Sequence, residues 1–149
     1  HNLARINAPA FNKYKMKNMQ SDCELVSKKN NLSFQWNLQF PINSLSIMRG
    51  YLSVDDNQKE EYLNIFFDAY WRDNLDLSSK KEFSKLLETL KIDNEFFFDK
   101  IKQQSTKDEL KELTNNAFKK EVFGAPTFIV NNKIFWGQDR LDYAIEELS

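Results

Sequence analysis

Histidine is almost missing from this chain of 149 residues, and the only one is His1. A serine–histidine–acid triad or a zinc site built on imidazole is therefore not the chemistry of these residues, and no metal site is expected. Cysteine is equally scarce. With Cys23 alone, no disulfide can form within the chain, and the usage suits a reducing compartment. Neither sign of charge dominates: 21 Lys and Arg stand against 22 Asp and Glu, so neither nucleic acid nor an anionic membrane is expected as a partner. Long apolar runs are missing too. The longest, around 122–130, is broken by Gly, Pro and Thr and is too short to span a bilayer. The chain opens without Met and without a charged-then-apolar leader. A natural N-terminus further upstream and a cytoplasmic location are the expectations.

What is present supports a folded core: 41% hydrophobic residues, with thirteen Phe, five Tyr and three Trp. The length fits one domain, or one with an inserted lobe. The first dozen residues lack periodicity, hold Pro9 and read as loop. Met16, Met19, Cys23 and Val26 recur at helical spacing and predict a helix over 13–29. Residues 34–40 read as an extended aromatic connection, after which Pro41 and Asn43 open a helix through Leu45, Met48 and Leu52. Asp56 is placed to cap a helix running to about Trp71, with Leu63, Phe66, Phe67 and Tyr70 on one face. Ser79 with Glu82, and Thr106 with Glu109, have the spacing of capping boxes, in which hydroxyl and carboxylate satisfy free amides reciprocally. Asp93 is placed to cap a helix over 94–104.

Only near the end does the pattern change. Thr127–Val130 and Lys133–Trp136 are short β-branched or aromatic runs separated by Asn131 and Asn132. Asn tolerates positive φ, so a tight hairpin is expected, followed by a last helix over 139–148. Periodicity alone thus gives a mostly helical chain with a small β element.

Glycine and proline number three each, yet Gly124, Pro126 and Gly137 fall in one short stretch. Gly-x-Pro before a strand is where thioredoxin-like folds place a cis proline beside the active site. There the residue before proline presents its backbone N–H and C=O to a ligand as an added strand would. An ordinary trans proline opening a strand is the alternative, and the local sequence leaves both open. Trp136-Gly-Gln-Asp-Arg-Leu141 sits where strand gives way to helix. Free N–H groups at such a start suit a carboxylate, and Asp139 can be an N-cap as well.

These residues resemble the C-terminal signature of the family of 2-hydroxychromene-2-carboxylate isomerases and kappa-class glutathione transferases. Val122-Phe-Gly-Ala-Pro-Thr-Phe128 and Phe135-Trp-Gly-Gln-Asp-Arg-Leu141 carry the match. Upstream it continues through Phe40-Pro-Ile-Asn-Ser-Leu-Ser-Ile-Met-Arg49, Ala69-Tyr-Trp71, and Leu113-Thr114 leading to Ala117. Lys15, Met19 and Asp22 keep the spacing of the family's Lys-x-x-Tyr-Met-x-x-Asp pattern, with Asn18 in place of its Tyr. Asn7-Ala-Pro9 resembles the family's Asn-x-Pro loop, one residue closer to the Lys. The resemblance covers essentially the whole chain and is weakest in its first twelve residues.

The resemblance implies an α/β thioredoxin-like fold of the DsbA/kappa type with a helical insertion domain. Residues 1–120 would form that insertion and 121–149 the C-terminal ββα half of the thioredoxin-like domain, with the N-terminal βαβ unit outside the chain. It also implies glutathione as cofactor. Ala125 before Pro126 would hold the cysteinyl backbone, and Trp136, Gly137, Gln138 and Asp139 would surround the γ-glutamyl end, Asp139 taking its ammonium. Lys15 would meet a carboxylate of glutathione or substrate, and Asn7 would face the substrate. The serine that stabilises the thiolate is expected upstream of His1, so no catalytic residue falls within the chain, which by itself is expected to be inactive. The implied activity is isomerisation of, or transfer to, an unsaturated oxo-acid or another small electrophile, with a homodimer allowed. A DsbA-type thiol–disulfide oxidoreductase with an upstream Cys-x-x-Cys is one alternative, and Trp-Gly-Gln-Asp-Arg stands against it. A non-catalytic, truncated binding module is another. Cys23 reads as a buried, inert thiol.

Overall fold

Asn12 sets the first helix. Its side-chain oxygen accepts from the N–H groups of Tyr14 and Lys15, each at 3.1 Å, and α1 runs from there over Lys13–Lys29. The computed structural model describes residues 12–149; the loop expected before that, with Asn7 and Pro9, lies outside the described residues. Five more helices follow: α2 (Leu45–Ser53), α3 (Lys59–Trp71), α4 (Lys80–Thr89), α5 (Asn94–Lys100) and α6 (Gln104–Lys119). Among the described residues no strand occurs before Thr127.

The described residues fall into two compact units, one ending at Leu110 and the other spanning Lys111–Ser149. The first is the helical unit, and apolar residues at helical spacing build its core. Tyr62, Phe66, Ala69 and Tyr70 of α3 meet Phe83 and Leu87 of α4 and Phe97 of α5. The Tyr62 and Phe66 rings stack at 4.3 Å, and the Phe66 and Phe83 rings pack at a tilt at 4.8 Å. The buried stripe of α3 is turned from the expected one: Leu63 and Phe67 stay exposed, because the face carrying Tyr62 and Ala69 meets the neighbouring helices.

Several helix starts also differ from expectation. Asp56 gives its carboxylate to the Lys59 ammonium at 2.6 Å, within a 3-10 turn (Asp56–Gln58) that precedes α3. Ser79 makes no side-chain cap, and Glu82 reaches forward to Lys85 at 2.9 Å instead of back to the helix start. Asp93 does cap α5, accepting from the Phe96 N–H at 2.7 Å, but that helix stops at Lys100. Thr106 then lies inside α6. Its buried hydroxyl donates to the Lys100 carbonyl at 3.0 Å, closing α5 rather than opening α6.

The connection over 34–40 is held by one side chain. Asn37, only 1% exposed, donates to the carbonyls of Tyr70 (2.8 Å) and Leu75 (3.1 Å) and accepts from the Gln39 N–H (2.8 Å). It pins the loop to the end of α3 and satisfies backbone groups that burial would otherwise orphan.

In the second unit, β1 (Thr127–Val130) and β2 (Lys133–Trp136) pair antiparallel, with Phe128 opposite Phe135 and Ile129 opposite Ile134. Asn131 and Asn132 turn the chain at φ +48° and +62°, as the two-residue hairpin requires. A 3-10 turn (Gln138–Arg140) leads into α7 (Leu141–Glu146). Glu147 then latches the end of α7 to the hairpin, through the Lys133 ammonium at 2.6 Å and through its carbonyl, which accepts from the Asn131 amide at 2.9 Å.

Candidate functional site

The register of the hairpin places its flanking residues. With Thr127 opposite Trp136, the next pair outward is Pro126 and Gly137, and the Gly137 N–H donates to the Pro126 carbonyl at 3.0 Å. The Ala125–Pro126 bond is cis, as the Gly-x-Pro pattern suggested. The Thr127 hydroxyl donates to the Gly124 carbonyl at 2.6 Å and holds the approach to that bond. Gly137 stands at φ +108°, where a side chain is rarely accommodated. Gly124 is there for space: a Cβ on it would lie 2.5 Å from Nε1 of Trp136, whose ring packs on Phe123 at 5.2 Å.

Together these elements enclose a groove of about 270 Å³, with Ala125 and Pro126 on one side and residues 136–140 on the other. Among the described residues, neither the N–H nor the C=O of Ala125 has a hydrogen-bond partner. Asp139 makes no cap bond to the turn that follows, contrary to the N-cap reading. Its exposed carboxylate instead stands 3.5 Å from the Arg140 guanidinium, which packs over the Tyr143 ring at 5.4 Å. The last helix is shorter than expected, six residues behind a 3-10 turn, so the partial charge at its start is small. Positive charge at the groove comes chiefly from Arg140. Sequence reasoning quoted Arg140 within the motif but gave it no role; its place directly after Asp139 was the available signal.

The structure thus brings together Ala125, Pro126, Trp136, Gly137, Gln138 and Asp139. Lys15 belongs to the other compact unit, exposed in the first turn of α1, and Asn7 lies outside the described residues. No serine, cysteine or histidine lines the groove among the described residues. It can bind and orient a ligand with a peptide-like edge and both charges. Cys23 is half-buried on α1, and burial, followed by the charges of Asp22 and Glu24, pushes its thiol pKa up. That is the reverse of what a redox-active thiolate needs.

Among the described residues, no helix is long and apolar enough to cross a membrane. A family model described as a DSBA-like thioredoxin domain matches residues 1–149. The 2-hydroxychromene-2-carboxylate isomerase of Sphingobium xenophagum is 25% identical over 129 residues, covering 87% of this chain and 66% of that protein. A protein of the same name from a Pseudomonas species is 31% identical over 84 residues, covering 56% of this chain and 40% of that protein. The chain therefore spans less than two thirds of the length of these curated relatives. The solved structure of selenomethionine 2-hydroxychromene-2-carboxylate isomerase superposes with a TM-score of 0.84 at 21% identity, covering 97% of this chain and 70% of that one. The likeness is one of fold.

Proposed function

The chain belongs to the family of DSBA-like thioredoxin domains, and from that premise we propose that it forms the glutathione-holding part of a glutathione-dependent isomerase or transferase. The substrate is an unsaturated oxo-acid or another small electrophile. The observation that carries this reading is the groove at the hairpin, where the unpaired backbone of Ala125 and the opposite charges of Asp139 and Arg140 are gathered. Glutathione has matching groups: a cysteinyl peptide unit that can pair with a backbone edge, and a γ-glutamyl end bearing ammonium and carboxylate. In this reading Asp139 takes the ammonium, while Arg140 and the Gln138 N–H take the carboxylate. Trp136 and Pro126 shield the peptide from water.

Glutathione, held in the groove, would supply a nucleophilic sulfur for reversible addition to an unsaturated carbon. The groove's part is orientation. A thiol of pKa near 8.5 is mostly protonated at neutral pH, and among the described residues no hydroxyl lines the groove, so in this reading the thiolate is stabilised by the serine that the family resemblance implies. The names of these relatives favour isomerisation over conjugation.

Calorimetric titration tests the assignment. Asp139→Ala should weaken glutathione by roughly 1.5–3 kcal/mol, the range of a charge-assisted hydrogen bond. The same change should leave the affinity for the dipeptide Cys-Gly, which lacks the γ-glutamyl group, unaltered. Unchanged glutathione affinity in Asp139→Ala removes the reading. Isomerase turnover by these 149 residues alone would remove the dependence on an upstream serine.

A further inference from the structure

Among the described residues Arg140 is the one cation that lines the groove, and what holds it there lies outside the groove. Its backbone is fixed, because the Arg140 N–H donates to the Gly137 carbonyl at 3.1 Å. Its side chain is not fixed from within. Half of it is exposed, the Asp139 carboxylate stands off at 3.5 Å, and among the described residues the guanidinium makes no hydrogen bond. An arginine has a large rotamer entropy, so a guanidinium this free points at the groove only part of the time. The ring of Tyr143 supplies the constraint. It lies one helical turn further on, and the guanidinium carbon stands 5.4 Å from its centroid. The ring is itself well anchored. Ala144 beside it is buried and seats α7, and the Tyr143 carbonyl accepts at 3.1 Å from the N–H of Glu147, the residue latched to Lys133. Tyr143 does not line the groove, and its hydroxyl has no partner among the described residues, so its ring face is what it offers.

We infer that Tyr143 is a positioning residue: by holding the Arg140 guanidinium at the groove, it makes the site select ligands that carry a carboxylate beside their ammonium group. The inference rests on the glutathione reading and extends it to a residue outside the groove. Asp139 meets the ammonium whether or not the ring is present, so only the carboxylate half of recognition passes through Tyr143. A ligand with the ammonium but without that carboxylate is therefore indifferent to the ring. Such a ligand is 4-aminobutanoyl-Cys-Gly, which is glutathione without its α-carboxylate. The contact is half exposed, so water and salt screen it and its effect on affinity is a few-fold.

The test is calorimetric titration of the full chain with glutathione and with 4-aminobutanoyl-Cys-Gly, together with proton shifts of the Arg140 side chain measured without ligand. Tyr143→Leu keeps apolar bulk but removes the ring face. It should weaken glutathione about three- to fivefold and leave the analogue unchanged. Tyr143→Phe keeps the face and should bind glutathione as the unaltered chain does. In an Arg140→Ala background, Tyr143→Leu should have no further effect, the non-additivity expected of a residue that acts through another. The Arg140 δ-protons should lie upfield in the unaltered chain and in Tyr143→Phe but not in Tyr143→Leu, because only a ring face shields them. A merely structural role would weaken both ligands alike and persist in the Arg140→Ala background. Equal glutathione affinity in Tyr143→Leu and the unaltered chain, or an equal loss for both ligands, overturns the inference and leaves the glutathione reading standing. Unchanged glutathione affinity in Arg140→Ala overturns the inference together with the assignment of the ligand carboxylate to Arg140. Absence of saturable glutathione binding by the unaltered chain overturns the whole reading and this inference with it.

Discussion

The Gly137 N–H donates to the Pro126 carbonyl at 3.0 Å, one pair beyond the last ladder position of the hairpin. This bond carries β2 past its partner before the chain turns, so that residues 137–139 face Ala125 and Pro126. The positive φ of Gly137 makes the turn possible, and the Arg140 N–H then closes it onto the Gly137 carbonyl at 3.1 Å. Backbone bonds, rather than packing of Gln138 or Asp139, therefore set the shape of the groove. Side chains at its rim should be replaceable without loss of fold.

Asp139 is the direct case. Its carboxylate caps no helix and is exposed, so Asp139→Ala should change unfolding free energy by no more than about 0.5 kcal/mol while weakening glutathione binding. Thermal melts without ligand check this. A loss above about 1 kcal/mol, the value of a typical cap, would make Asp139 structural.

Gly124→Ala should act through Trp136. The added methyl would stand 2.5 Å from Nε1, so the indole must move away from Phe123 and the groove wall with it. Overpacking of this kind costs about 1–3 kcal/mol. The expected signature is lower stability together with altered near-ultraviolet dichroism of the tryptophans and weaker glutathione binding. Unaltered dichroism would mean that the ring does not need this space.

The Lys133–Glu147 latch predicts a pH dependence. Its hydrogen bonds to Lys133 first, and to Asn131 next, hold the Glu147 carboxyl below its ordinary 4.5. A lowered folded pKa contributes stability that is complete above the unfolded value and is lost as pH falls through the folded one. The midpoint difference between the unaltered chain and Glu147→Gln should thus be present at about pH 7 and disappear as pH falls through the lowered folded value. A difference that persists in acid would assign the latch to packing instead of charge.

Much of this was legible locally. The 13–29 helix follows from short-range periodicity, the hairpin from two adjacent asparagines, and the groove from a cluster of scarce glycine and proline. What escaped depends on a partner distant in sequence or chosen among rivals. Glu82 could reach back to the helix start or forward to Lys85, and spacing alone does not rank the two. Thr106 serves α5 because the orphan carbonyl of Lys100 lies beside it, which only the turn between the helices reveals. The rotated stripe of α3 depends on where α4 and α5 pack, information that α3 itself does not hold.

Asn37 is the clearest such residue and yields the last prediction. Its sequence context, Gln35-Trp-Asn-Leu38, reads as part of an extended aromatic connection, yet the Asn37 side chain is fully buried and makes three hydrogen bonds to main-chain groups, two of them on carbonyls at the end of α3 and beyond. Asn37→Ala deletes all three and leaves buried backbone groups unpaired, at a cost of about 3 kcal/mol. Asn37→Asp keeps the shape but replaces the donating amide by an acceptor facing two carbonyls. At neutral pH it should therefore be the more destabilising change, because a carboxylate offers no donor and is costly to bury. Burial without a cation raises the pKa of the introduced carboxyl. Stability relative to the unaltered chain should then recover as pH falls through that raised value, when protonation restores one donor. Denaturant unfolding of the two variants between about pH 4 and 8 separates the cases. If Asn37→Asp is the milder change at neutral pH, water reaches the site and Asn37 does not hold the loop to α3 in the way its hydrogen bonds indicate.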